Sequence, residues 1–148
     1  MCVSYLAQIM KTVISMTKMS LILYINRMAL AFIWFYQGLV PKLLGPNHDE
    51  LVMNMALGLS PLWATYLAYI GGVLELILGG VVFVFYRHAW PYQLTIAAMI
   101  GFLLLTIIWT PEFVTSAFNS VTVNLAIIAL AMNALVCIES ISCFDKKN

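Results

Sequence analysis

Four stretches of the chain are nearly unbroken runs of apolar residues, at approximately 21–44, 62–86, 92–109 and 120–143, and the breakers fall between them. Gly45, Pro46 and Asn47 end the first run, Pro61 opens the second, Pro91 separates the second from the third, and Pro111 follows the third. A helix rises about 1.5 Å per residue and the hydrocarbon core of a bilayer is about 30 Å thick, so roughly 20 apolar residues make one crossing. Each run is long enough. An open sheet cannot satisfy its backbone in lipid, and the runs lack the alternation of barrel strands, so helix is the consistent reading. The pattern predicts an all-α integral membrane four-helix bundle built as a single domain over 1–148, since no connector is long enough to fold alone.

The first twenty residues carry a different pattern. Ser4, Gln8, Lys11, Ser15 and Lys18 recur at three- and four-residue intervals, with Val3, Leu6, Met10 and Val13 on the opposite face. This is the signature of an N-terminal amphipathic interfacial helix, lying on the membrane surface with its lysines toward anionic lipid. The alternative is that translation starts at Met10, Met16 or Met19. A cleaved signal peptide is disfavoured, because no small-residue cleavage site precedes the first run.

Composition agrees with the pattern. Hydrophobic residues make up 64% of the chain and charged residues 9%, with a mean hydropathy of +0.99; a water-soluble domain of this size has nowhere to place so much apolar surface. Lys11, Lys18, Arg27, Arg87, Lys146 and Lys147 fall on one side of the predicted crossings and Lys42 on the other. That asymmetry places both termini in the cytoplasm, as for a multi-pass protein of a bacterial inner membrane. Trp63 and Trp109 then mark the outer interface, and Tyr86, Trp90 and Tyr92 the inner one.

Little recognisable chemistry accompanies these helices. Cys2, Cys137 and Cys143 form no CxxC pair, and the six-residue spacing of the last two puts them on different sides of a helix. His48 and His88 fall on opposite sides of the membrane, so together they hold no haem or metal. The chain lacks a nucleotide-binding glycine loop, a serine elbow and a basic nucleic-acid patch. A redox role therefore needs a lipid-soluble cofactor such as a quinone, or a partner's redox centre.

What remains is a short list of polar residues inside the crossings. Glu75 lies in GGVLELILGG, close to mid-depth, where ionisable groups are costly and usually face the bundle interior. Gly71 and Gly79 flank it at four-residue spacing, and Ala64, Ala68 and Gly72 form an adjacent small-residue ridge. Asn133 falls at similar depth on the fourth run, within a small and polar stripe of Thr122, Ala126, Ala129, Asn133, Cys137 and Ser140. These two faces are expected to meet. Gln37 and Lys42 cluster near the outer end of the first run, beside Pro41, which removes a backbone donor. Arg27, near its inner end, is a candidate partner for Glu75; without such a partner the carboxyl is expected to be neutral. Snorkelling to the interface is the plain alternative for Lys42, and simple interhelical hydrogen bonding is the plain alternative for Gln37 and Asn133.

The segments WFYQGLVPKLL, GGVLELILGG and FNSVTVNL, in that order, resemble the DoxX-like family of small four-span bacterial membrane proteins, over roughly residues 22–140. The resemblance implies a four-helix bundle and singles out Lys42, Glu75 and Asn124, with Arg27 as the basic residue opening the first span. The family is named for a subunit of an archaeal thiosulfate to quinone oxidoreductase, and related proteins resemble membrane partners of redox or stress enzymes. No thiosulfate-binding motif accompanies these residues, so sulfur oxidation is not implied. Three functions stay open. One is an accessory or anchoring subunit, bound to a protein partner or to further copies of itself. The second is a quinone-interacting oxidoreductase subunit, with Glu75 as the proton-exchanging group and Trp34 and Tyr36 shaping an apolar slot. The third is a small-solute transporter, disfavoured by the lack of broken inverted repeats.

Overall fold

A computed structural model describes residues 2–115 and 119–145. Within them five α-helices follow one another: α1 (Cys2–Gly38), α2 (His48–Ala56), α3 (Pro61–Val84), α4 (Trp90–Trp109) and α5 (Ser120–Asp145). A π-helical turn, Leu39–Leu43, extends α1, and a short 3-10 turn, Pro111–Val114, follows α4. Four segments are long and apolar enough to cross a membrane: Ile14–Leu43, Pro61–Val84, Trp90–Trp109 and Ser120–Phe144.

The breakers act where their chemistry requires. Pro61 and Pro91 occupy first-turn positions of α3 and α4, where a missing N–H costs nothing. Asn119 caps α5, its Oδ1 accepting the Thr122 N–H at 2.8 Å. Gly58 turns the chain from α2 into α3 with φ +85°, a left-handed conformation that suits glycine. The N-terminal segment departs from the expected pattern. No Gly or Pro lies between Cys2 and Gln37, so nothing turns the leader onto its own axis, and it runs into the first crossing as one helix. The first candidate crossing, Ile14–Leu43, contains nearly all of the span expected at 21–44. The side chains of residues 2–9 and 11–13, and Phe118, Lys146 and Lys147, lie outside the described residues.

α1 packs closely on α3 and on α5, and α4 packs on α5, while the α3–α4 contact is the sparsest of the four neighbouring pairs. The four long helices thus form an up-and-down ring, with α3 and α5 on a diagonal. The small-residue face of α3 is buried as expected, at Ala64, Ala68, Gly72, Glu75 and Gly79, but its partner is α1, not α5. Gly38 and Gly72 make the closest approach, where a Cβ on Gly72 would stand 2.8 Å from the Gly38 carbonyl oxygen. α5 buries a different stripe from the expected one: Asn124, Ile127, Ala131, Ala134 and Cys137 face inward, and Thr122, Ala126, Ala129, Asn133 and Ser140 are exposed. Both faces of α5 are apolar enough for lipid, so composition did not distinguish them.

The core runs from Leu23, Val82, Tyr92 and Cys137 at one end to Trp34, Met99 and Ile127 further along. Trp63, Trp90 and Trp109 are exposed, as amphipathic ring positions require, whereas Tyr92 is fully buried. Its hydroxyl donates to the Tyr86 carbonyl oxygen at 2.9 Å, which satisfies it inside the bundle.

Candidate functional site

Pro41 has no N–H to continue the α-helical ladder, and the chain responds by widening its last turn. The Leu44 N–H donates to the Leu39 carbonyl oxygen, five residues back, at 2.9 Å. Lys42 lies in this turn and is buried against α3 instead of snorkelling outward. Its Nζ donates to Glu75 Oε1 at 2.7 Å and stands 3.3 Å from Glu50 Oε1 of α2. One ammonium therefore bridges two carboxylates from different helices. The 2.7 Å contact with Glu75 is of the short, charge-assisted class of hydrogen bond, and the 3.3 Å approach to Glu50 is a looser ion pair.

Glu75 is 6% exposed and Lys42 9%, so water screens neither well. Glu75 Oε2 is buried and has no hydrogen-bond partner among the described residues. The same is true of Ser120 Oγ. Both residues line a cavity of about 220 Å³ at the end of the bundle where α1 and α4 finish and α3 and α5 begin. Its apolar wall includes Trp34, Met99, Phe102 and Trp109, and its polar wall adds Gln37, Asn124, Thr106 and Thr110. α2 contributes Glu50, Met53 and Asn54, and Asn54 fixes that helix by donating to the Ala64 carbonyl oxygen at 3.1 Å. Trp34 is held in turn, its Nε1–H donating to Thr95 Oγ1 at 3.3 Å.

Four of the six residues singled out from sequence, Gln37, Lys42, Glu75 and Asn124, line this cavity together. Arg27 does not. Glu75 is level with Gly38, whose Cβ position lies 3.1 Å from the Glu75 Cβ; eleven helical residues put Arg27 about 16 Å further along α1. Its guanidinium instead stacks on Phe83 and Tyr86, 4.1 and 4.2 Å from their ring centroids. Asn133 is exposed on α5 and contributes nothing to the cavity. Trp34 is buried in the wall as anticipated, but Tyr36 is 52% exposed and points away from it. Glu50 and Asn54 were missed, although their four-residue spacing inside DELVMN marks one face of a short helix. Thr106 and Thr110 were missed for a plainer reason: each hydroxyl donates to the carbonyl four residues earlier, a bond that lets threonine pass as an apolar residue in a lipid-spanning helix.

The assembled site is a ring-sized chamber with aromatic walls, one cation, two carboxylates and several neutral hydrogen-bonding groups. It suits a small planar or amphiphilic molecule better than a drug-sized ligand, whose pockets start at about 300 Å³. No curated protein and no solved structure matches the chain. The model of the DoxX-like family matches residues 31–132, a range that contains Gln37, Lys42, Glu50, Glu75 and Asn124 and leaves out Arg27, Asn133 and the whole leader. With that match spanning more than half its length, the chain belongs to the DoxX-like family.

Proposed function

We propose that this integral membrane protein is a quinone-interacting subunit of a redox assembly, holding the head group of a lipid-soluble quinone in the cavity beside Lys42 and Glu75. The observation that supports the reading is the buried Lys42–Glu75 pair, 2.7 Å apart, in the wall of a chamber whose other walls are aromatic, with Glu75 Oε2 lacking a hydrogen-bond partner among the described residues. Trp34, Phe102 and Trp109 would flank the ring, and Gln37, Ser120 and Asn124 would meet its oxygens. When bound, the group supplies two-electron chemistry that side chains of this chain lack. Phe102, Leu105 and Trp109 line the cavity and are also 37%, 39% and 46% exposed on α4, which favours entry from the bilayer beside the sparse α3–α4 contact. The asymmetry of Lys and Arg supports an inner-membrane orientation with cytoplasmic termini and the cavity near the outer surface.

A photoreactive azidoquinone in nanodiscs tests the assignment. Label competed by excess quinone and recovered on α1 or α4 peptides of the cavity wall is the expected result. Label spread over lipid-facing residues and indifferent to competition would overturn it.

A second reading, an accessory subunit docking a membrane partner, is favoured by a separate observation. Asn133 is a polar side chain exposed on the face of α5 that carries Ala126 and Ala129. Small and polar surfaces of this kind let a further helix approach closely. The two readings are compatible, since this face is not part of the cavity.

A further inference from the structure

Arg27 stands apart from the cavity, at the other end of the bundle. Phe83 is the last residue but one of α3, which ends at Val84, and α4 begins at Trp90. The guanidinium stacked on Phe83 therefore lies where these two crossings leave the hydrocarbon, while α1 continues past this level and carries Lys18 nine residues earlier. We infer that Arg27 is a binding site for the phosphate of an acidic phospholipid, held between α1 and α3 at this edge of the membrane.

The guanidinium is fixed in place but its donors are not used. The ring centroids of Phe83 and Tyr86 lie 4.1 and 4.2 Å from Arg27 Cζ, and that of Tyr24 lies 6.0 Å away. Such contacts use the charge of the group, whereas its five N–H donors need acceptors. Among the described residues both ion pairs belong to Lys42, so no carboxylate neutralises Arg27, the exposed Glu139 of α5 included. Its Nε is enclosed and has no acceptor. The terminal nitrogens are not enclosed in this way, and they are the donors an incoming anion meets. A phosphate diester supplies what is missing, a negative charge and a pair of oxygens that match the guanidinium fork.

The surroundings select a lipid as the source of that phosphate. Tyr24 and Phe83 are exposed on the outer surface of their helices, so the open side of the site faces acyl chains. Arg87 follows Tyr86 directly and is exposed in the turn between α3 and α4. A second positive charge here disfavours a headgroup that carries its own cation.

The experiment follows thermal unfolding of the full chain in dodecyl maltoside with added dioleoylphosphatidylglycerol, dioleoylphosphatidylcholine or inorganic phosphate. Phosphatidylglycerol is expected to raise the unfolding midpoint of the wild-type chain by at least about 3 °C more than phosphatidylcholine does. Arg27→Gln is expected to lose most of that difference, and Lys18→Gln, which removes the same charge from α1 outside the ring contacts, to keep it. Equal shifts with the two lipids on wild type overturn the proposal without recourse to any variant. Retention of the full difference in a folded Arg27→Gln, or an equal loss in Lys18→Gln, overturns the role given to Arg27. A shift of the same size with inorganic phosphate at equal concentration overturns the phospholipid as the occupant.

Discussion

Gly38 of α1 and Gly72 of α3 meet so closely that a Cβ on Gly38 would stand 2.6 Å from the Gly72 carbonyl oxygen. This contact sets Lys42 and Glu75 within reach of each other, because one lies a turn beyond Gly38 and the other three residues beyond Gly72. The obstacle to a side chain here is backbone, which cannot rotate away. Gly38→Ala is therefore expected to separate α1 from α3 and to cost about 1–3 kcal/mol, as overpacking usually does. Gly80→Ala is the control: nothing lies within 4 Å of its Cβ position, and helix propensity alone makes the change neutral or stabilising by up to about 1 kcal/mol. Thermal unfolding in mild detergent compares the two. Equal behaviour would mean that the close approach has no energetic weight.

The ion pair should show strong non-additivity. Lys42→Met leaves the Glu75 carboxylate buried without its cation, and breaking a buried pair in this way costs about 3–5 kcal/mol. Glu75→Gln in the same background removes the stranded charge, so the double variant is expected to be more stable than Lys42→Met alone. Denaturant unfolding of the two single variants and the double variant measures the coupling. Additive losses would show that the 2.7 Å contact contributes little and that Lys42 and Glu75 are buried independently.

How much of this was legible in the sequence follows from which physical constraints leave a mark on residue order. The four crossings did, because their length is imposed by the bilayer and their ends by Pro, Gly and Asn. Glu75 did, because a carboxylate inside an apolar run has few inexpensive places to go. Its partner did not. Lys42 reads equally well as a residue snorkelling to the interface, and the widened turn at Pro41 that seats it inward is a backbone response, not a residue pattern. The face of α5 was misread because lipid and bundle interior are both apolar, so Asn133 and Asn124 carry similar local signals. Their neighbours decided the matter: Ile127 and Ala131 pack inward on the side of Asn124.

Glu50 ties α2 to the bundle more loosely than Asn54 does, because its side chain is 24% exposed in the pair with Lys42. Glu50→Gln should cost no more than about 1 kcal/mol of global stability. It should, however, free α2 to open locally, since Gly45 and Gly58 flank the segment and have open space around them. With the native cysteines replaced, a Ser120→Cys reporter on the cavity wall is expected to react severalfold faster with a water-soluble methanethiosulfonate when Glu50 is also changed to Gln. An unchanged rate would show that the Lys42–Glu50 contact does not hold α2 over the chamber.

The exposed Asn133 separates fold from association. Its amide lies among apolar residues on an outward face of α5, where an interhelical hydrogen bond would contribute about 0.6 kcal/mol on average. Asn133→Leu removes no contact inside the bundle, so its unfolding free energy in detergent should change by less than about 0.5 kcal/mol. In bilayers the same substitution should weaken whatever helix covers this face, lowering energy transfer between labelled copies in proteoliposomes or the recovery of a co-purifying subunit. Asn124→Leu should behave in the opposite way, altering ligand binding at the cavity while leaving association unchanged. If Asn133→Leu instead destabilised the isolated bundle as much as a buried substitution does, α5 would have to be turned about its axis. The stripe from Asn124 to Cys137 would then lose its claim to the core.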